Sequence, residues 1–418
     1  MDSEDIISQG KKTLIVTFIA AILIVAAVSV ILKQWVVFGI PVGLLFGFFL
    51  QKGDLCGSSA FSEVILMKDY SKVFGLWIGI VVTMAGIALL DILDLIALNP
   101  KPFLFLNMII GGIVFGAGTV LAGGCVSGCL YKAGSGNLNS MAALAGIPIG
   151  IAMIEFGPLS GMQAFLKTHV IKPEIGKSIT LSSLTGTPFW ILAMIIAFLT
   201  VLAVFYRYKN KKSVKPVSSE GKYSITHKIF IRSWKPWQAG IAIGLLVIPA
   251  YLSSASSGRN YPLGVTHGVL QAELLFIDKN FNHVWENSSP VTTSNTSNRA
   301  IDTSIQPVRQ QPQGKKIVWW LVLLVSSMIV GSFVSGKLSG QAILLPKPPE
   351  QTVTAFFGGI LVGSGAAIGG GCVIGNILSG WALMSVGTIV FGVFTISANW
   401  GVTFLYLMGG AGSKNSKL

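Results

Sequence analysis

The residues best suited to soft-atom chemistry in this chain are its four cysteines, and three of them fall in glycine-flanked breaks between apolar runs. Cys125 sits in Gly123-Gly124-Cys125-Val126-Ser127-Gly128-Cys129, and Cys372 in Gly369-Gly370-Gly371-Cys372-Val373-Ile374-Gly375-Asn376. Cys56 follows Gly53-Asp54-Leu55 and precedes Gly57. A thiol is a weak donor and a weak acceptor, and its polarizable sulfur suits contact with another sulfur. The pattern therefore points to a sulfur-containing substrate at a narrow place in a membrane. Cys129, one helical turn after Cys125, also fits the plainer role of a small hydrophobe in a membrane helix. A metal centre needs a full ligand set and a supporting second shell. Cys125, Cys129 and Cys372 offer three sulfurs, but among the four histidines only His267 lies near a break. No metal and no cofactor is expected.

Charged and polar side chains near the breaks extend the candidate site. Lys132 follows Cys125 by seven residues and is placed to attract an anion at one mouth; Arg259 is placed to do so at the other. Either could equally snorkel to an interface. Glu63 and Glu155 are further charges near the breaks. A charge at membrane depth marks function by default. Asn376 and Asn399 could donate to an oxyanion or bond a neighbouring helix. Gly124 and Gly371 allow close backbone approach and a turn into a short helix whose free N–H groups favour an anion.

Composition says what must position these residues. Of 418 residues, 52% are hydrophobic and only 11% charged, against roughly 25% charged in soluble domains. The chain is expected to be an all-α polytopic membrane protein. The net charge of +14 reads as positive-inside loop charge, with no nucleic-acid partner. Ten apolar stretches stand out, near 13–32, 36–50, 73–96, 104–121, 138–155, 188–206, 237–252, 317–337, 353–369 and 384–409. Several are short or broken, so nine to ten transmembrane helices are expected. Shorter segments near 57–67, 126–133, 263–276 and 373–382 are candidates for re-entrant helices. The first stretch is too long for a signal peptide and lacks a cleavage site, so it reads as a retained helix.

The densest run of Lys and Arg, from Arg207 to Lys235, reads as a cytoplasmic linker. Counting spans outward puts both termini in the cytoplasm and the polar stretch Asp278 to Lys316 outside, as a flexible loop. The linker divides two halves with the same order of features. A break at Cys56 precedes the Cys125 break by two spans, and a break at Gly258-Arg259 precedes the Cys372 break by two. The offset of five spans is odd, which is the mark of an inverted-topology repeat. Four regions follow: an additional N-terminal helix in 1–35, the first half with a connecting helix in 36–206, the linker in 207–235, and the second half in 236–418 with its outer loop 278–316.

These motifs together resemble the YeeE/YedE family of sulfur-transport membrane proteins. The resemblance is carried by Gly53-Asp54-Leu55-Cys56, Leu121 to Gly128 with Tyr131 to Asn137, Gly258 to Thr266, and Gly370-Gly371-Cys372. It implies thiosulfate import across the cell inner membrane, through an hourglass in which short helices from both faces meet at a narrow centre. There Cys56, Cys125 and Cys372 would pass the anion along by S–H hydrogen bonds. It also implies a separate cytoplasmic TusA-like sulfurtransferase as partner. The chain departs from the pattern in Cys129, the loop 278–316 and the first span. Some relatives are tied to selenium, so a selenium or other sulfur compound is the alternative substrate. Two further readings compete: an anion channel or exporter, and a membrane thiol redox protein using Cys125 and Cys129. No P-loop, kinase, dehydrogenase or His-Glu-x-x-His signature is present, so no ATP-driven pump is expected; nothing but the thiols suggests a covalent catalytic centre, and the chain is not expected to be an enzyme.

Overall fold

A computed structural model of the chain describes residues 3–168, 178–210, 229–277, 282–284, 316–344 and 347–408. The first half contains α1 (Ser3–Ile31), α2 (Gly39–Gly53), α3 (Gly57–Leu66), α4 (Ser71–Ile92), α5 (Phe105–Leu121), α6 (Val126–Gly134) and α7 (Leu138–Glu155). The short helices α8 (Ser160–Thr168) and α9 (Leu181–Thr185) lead to α10 (Phe189–Asn210). The second half contains α11 (Pro236–Ser256), α12 (Thr266–Ile277), strands β1 (Asn282–Val284) and β2 (Lys316–Val318), α13 (Trp319–Ser339) and α14 (Pro349–Ile368). A π-helical segment, Val373–Leu378, then runs into α15 (Ser379–Ala382), followed by α16 (Val386–Val402) and a second π-helical segment, Thr403–Met408.

Among the described residues, nine helical segments are long and apolar enough to cross a bilayer. Two of them, Phe105–Gly134 and Pro349–Ala382, contain a break, so each joins a long helix to a short one. The chain is an all-helical polytopic membrane protein. Its outward surface agrees: on α10, Phe198, Val201 and Phe205 are each about two-thirds exposed, a cost that lipid removes. The second of the ten expected stretches, 36–50, becomes α2. Its 15 residues reach about 22 Å, short of a hydrocarbon core of about 30 Å. Asp54 ends it early by taking a left-handed conformation, φ 44°. The expected flexible loop, Asp278 to Lys316, has paired ends, since β1 and β2 run parallel with His283 opposite Ile317. Its centre, 285–315, lies outside the described residues, as do linker residues 211–228 and the last ten of the chain.

The halves interlock. In the core α2 packs on α13 and α11 on α4; α14 packs on α7, and α5 on α16; α5 and α14 also pack on each other. Small residues make this possible. A Cβ on Gly47 would overlap the Met328 carbonyl, and one on Gly363 would overlap the Ile147 carbonyl. Helix backbones therefore touch where lipid tails give no hydrophobic drive for association. By contrast α1 is mostly exposed, meeting the bundle through Ile15 and Phe18 against Phe48 of α2.

Polar side chains at depth tie short elements to long ones. Ser62 of α3 donates to Asn399 Oδ1 (3.0 Å), and Asn399 Nδ2 donates to Thr119 Oγ1 (3.1 Å). Trp400 Nε1 donates to the Phe61 carbonyl (3.0 Å). Asn399 thus bonds neighbouring helices, the second of its two expected roles.

Candidate functional site

Four breaks share one backbone device. At each, an N–H reaches back five residues to close the preceding helix: Leu55 to Leu50 (3.1 Å), Gly124 to Thr119 (3.1 Å), Arg259 to Ser254 (3.0 Å) and Gly371 to Ala366 (2.8 Å). The residue before each donor is left-handed: Asp54 (φ 44°), Gly123 (φ 68°), Gly258 (φ 89°) and Gly370 (φ 63°). This is a Schellman termination, which needs a residue that tolerates positive φ. Three of the left-handed residues stand two positions before a cysteine. Cys56, Cys125 and Cys372 are then extended and occupy the N-cap of the next short element, α3, α6 and the first π-helical segment. Each cysteine carbonyl accepts the first bond of its helix, from Ala60, Cys129 and Asn376. Each thiol therefore sits at the positive end of a helix, beside N–H groups without intrahelical acceptors.

The three N-termini meet. Cys56, Cys125 and Cys372 are fully buried. A Cβ on Gly128 would overlap the Cys56 sulfur and lie 3.5 Å from the Cys125 sulfur, so these two thiols flank a glycine. The Cys125 sulfur lies 3.3 Å from Ser127 Oγ. Gly57 abuts Val373, which brings α3 against the π-helical segment at the residues following Cys56 and Cys372. Cys129 lies behind this line: its thiol points to the Gly124 carbonyl at 3.6 Å.

Cys372 opens onto a cavity of about 280 Å3 lined also by Lys101, Arg259, Tyr261, His267 and Gly371. Lys101 Nζ donates to the Gly370 carbonyl and to Asn376 Oδ1, both at 2.6 Å, and lies 5.2 Å from the centre of the Tyr261 ring. The Arg259 guanidinium also lies over the Tyr261 ring, 5.3 Å from its centroid, and 6.0 Å from that of Trp320. Its Nη1 donates to the carbonyls of Tyr261 (3.1 Å) and Pro262 (3.2 Å) and to Ser254 Oγ (3.4 Å). Tyr261 in turn donates to the Gly375 carbonyl (2.6 Å). Burial, and next the Arg259 charge, push the Lys101 ammonium down to about 7. An anion in this cavity would oppose both effects and hold the proton on.

Asn376 has both amide hydrogens committed, to the carbonyls of Gly369 (3.0 Å) and Gly371 (3.1 Å). It braces the Cys372 break and presents its oxygen to Lys101. Gly371 leaves room for these groups, since a Cβ there would stand 2.8 Å from Lys101 Nζ and 2.9 Å from Asn376 Oδ1. Gly124 leaves room for Cys129, whose sulfur would lie 3.2 Å from an added Cβ. Lys132 Nζ donates to the Gly123 carbonyl (2.8 Å) and lines a second cavity, of about 390 Å3, with Asp54, Asn137 and Gln341. α13 separates the two cavities: Leu321 near its start lines the first, and Gln341 just past its end lines the second. Beside the second cavity, Lys72 bridges Asp54 and Glu63, both at 2.6 Å, and Tyr131 donates to the other Asp54 oxygen (2.8 Å). Glu155 lies away from both cavities, 3.8 Å from Lys167.

Sequence reasoning missed Lys101, Tyr261 and the Lys72 bridge. The available signal was Pro100-Lys101-Pro102, a lysine held rigidly between two prolines just before α5.

Comparison with known proteins adds a family and several relatives. A family model described as "Sulphur transport" matches residues 52–401. A protein of Escherichia coli (strain K12) named thiosulfate transporter TsuA is 28% identical over 368 residues, covering 88% of this chain and 93% of that protein. A protein of the same name from Spirochaeta thermophila is 30% identical over 377 residues, 88% of this chain and 98% of that protein. A probable transporter of E. coli, YedE, matches over 117 residues at 29% identity, 27% of this chain and 28% of that protein.

Proposed function

Since the chain belongs to the sulphur transport family, we propose that it imports thiosulfate, or a closely related sulfur anion, through the cavity at Cys372 and the thiols beneath it. The observation that carries this reading is the convergence of three cysteine-capped helix N-termini below a cavity furnished with Lys101 and Arg259. The two cations and the helix ends would draw the sulfonate oxygens, replacing water with fixed positive dipoles. The Cys372 thiol would donate to the terminal sulfur. The anion would then pass to Cys125 and Cys56 on either side of Gly128, whose missing side chain makes room for the Cys56 sulfur. Each S–H contact is weak, so the anion is held and released without a covalent bond. Cys129 stands outside this relay, since its thiol is turned to the Gly124 carbonyl.

The cavity at Lys101 would face the exterior of the inner membrane and that at Lys132 the cytoplasm. Basic residues support this polarity: Lys52, Lys68, Lys72, Arg232 and Lys235 gather at the Lys132 side, where Trp234 N–H donates to the Lys52 carbonyl. A cytoplasmic TusA-like sulfurtransferase would collect the product there. We read the two halves as an inverted repeat because α2 meets α13 as α11 meets α4, and α5 meets α16 as α14 meets α7. Growth on thiosulfate as sole sulfur source tests the function. Cells dependent on this protein are expected to lose growth and thiosulfate uptake with Cys125→Ala or Cys372→Ala at normal membrane levels. Retained uptake in either variant would exclude the relay.

A further inference from the structure

The two lysines at the breaks occupy the same place in the same device. Lys101 Nζ covers the carbonyl of Gly370, and Lys132 Nζ covers the carbonyl of Gly123. Each glycine is left-handed, and each stands two residues before a pathway cysteine. The lysines come from unrelated positions in the chain: Lys101 from the loop between α4 and α5, Lys132 from α6 itself. Each opens onto a cavity on its own side of the molecule, and the Lys132 cavity is the larger, about 390 Å3 against 280 Å3. Its one lining carboxylate, Asp54, is engaged by Lys72 on one oxygen and by Tyr131 on the other. Gln51 donates to Gln341 (2.7 Å), so what remains for a ligand is the Lys132 ammonium, the Asn137 amide and the exposed Lys347.

We propose that the Lys132 cavity is a second oxyanion site, weaker than the one at Lys101, from which the sulfur anion leaves the pathway. The site takes small divalent sulfur oxyanions. Lys132 exchanges the Gly123 carbonyl for a sulfonate oxygen, which keeps the ammonium partnered at both stages. The site is weaker because its second cation, Lys347, is exposed where Arg259 is held by the Tyr261 and Pro262 carbonyls, and because it carries Asp54 at its wall. A downhill pair of sites of this kind lets an anion bind tightly on one side and still be released on the other. This inference rests on the transport reading for its role, but not for its existence.

Equilibrium dialysis of radiolabelled thiosulfate against the purified full-length protein tests it. The wild type is expected to bind two equivalents with separable affinities. Lys132→Gln should weaken only the second by about tenfold, the effect of removing one charged donor. Lys132→Arg should restore it. Asn137→Asp is a second probe that preserves the fold, because Asp also serves as N-cap of α7, where Asn137 now accepts from Ser140 N–H (3.2 Å). It adds a negative charge to the cavity and should weaken the second equivalent similarly. The Lys101→Gln/Arg259→Gln double variant should keep the second equivalent and lose the first. One equivalent in the wild type, or a second equivalent indifferent to both Lys132→Gln and Asn137→Asp, overturns the proposal. Two equivalents without any thiosulfate flux in vesicles would instead overturn the transport reading and leave the second site standing.

Discussion

Three of the four breaks carry a cysteine and the fourth carries an arginine, and the backbone explains the substitution. At Asp54, Gly123 and Gly370 the left-handed residue is followed by one linking residue and then the thiol, which caps a short helix. At Gly258 the chain closes its helix in the same way but does not turn at once into the next one. Seven residues, Arg259 to Val265, intervene before α12 begins at Thr266. Within that loop Arg259 folds back over Tyr261 and bonds the loop's own carbonyls. A short break thus presents a soft donor at a helix end, and a long one presents a fixed cation in a cavity wall. On the proposed transport reading the difference would separate two tasks: gathering an anion from water, which wants charge, and passing it through a narrow dry place, which wants small, polarizable groups.

The narrow place gives the largest expected effect. In Gly128→Ala the added methyl would occupy the space of the Cys56 sulfur. α6 is pinned on both sides, so the methyl must displace the thiol. Uptake is expected to fall about a hundredfold or more, while overpacking costs about 1–3 kcal/mol in stability. Radiolabelled uptake measured beside a thermal melt checks both. Near-normal uptake would mean that the anion does not pass between Cys56 and Cys125.

The gathering place gives a smaller one. Arg259→Lys keeps the charge but loses the planar fork that bonds Tyr261, Pro262 and Ser254. The loop should loosen, and the external half-saturation concentration should rise about tenfold, with maximal rate less affected. If maximal rate falls and half-saturation holds, Arg259 belongs to the passage and the division of tasks is wrong.

How much of this was open to sequence reading depends on the length scale of the signal. Gly-Gly-Cys is local and repeats, so two cysteine breaks were legible as they stand, and Cys56 by its glycine flanks. The short helices α3, α6 and α12 came within a residue or three of the expected segments, because apolar runs of that length between breaks admit little else. The segment at 373–382 was legible as an element but not as a π-helix, whose wider hydrogen-bond ring depends on packing. The stretch at 36–50 stood among the expected spans although it is short, and α2 ends where the sequence turns polar at Gln51-Lys52-Gly53-Asp54. Lys101 was invisible for another reason. Its partners, Gly370 and Asn376, lie some 270 residues away, and no periodicity links a loop lysine to a distant carbonyl. The same holds for Asn399, whose choice between substrate and helix is made by Ser62 and Thr119 on other elements.

The smallest expected effect bears on why one break has aspartate where three have glycine. Asp54 must serve as the left-handed terminator of α2, and it also receives Lys72 and Tyr131. Asp54→Gly separates the two roles. Glycine adopts positive φ without the roughly 1 kcal/mol that an L side chain incurs there. The lost ion pair is exposed on the carboxylate side and worth about 0–1 kcal/mol. These two changes nearly cancel and leave the lost Tyr131 hydrogen bond, about 1 kcal/mol, so the melting temperature should fall by a few degrees. Uptake should fall about two- to threefold, because Lys72 then rests on Glu63 alone and Tyr131 loses its acceptor beside the path. Asp54→Val, which cannot take the left-handed turn cheaply, should instead destabilise by more than the glycine variant does. If glycine is the worse of the two, the carboxylate's bonds hold this break in place, and Cys56 is positioned by a device different from that of Cys125 and Cys372.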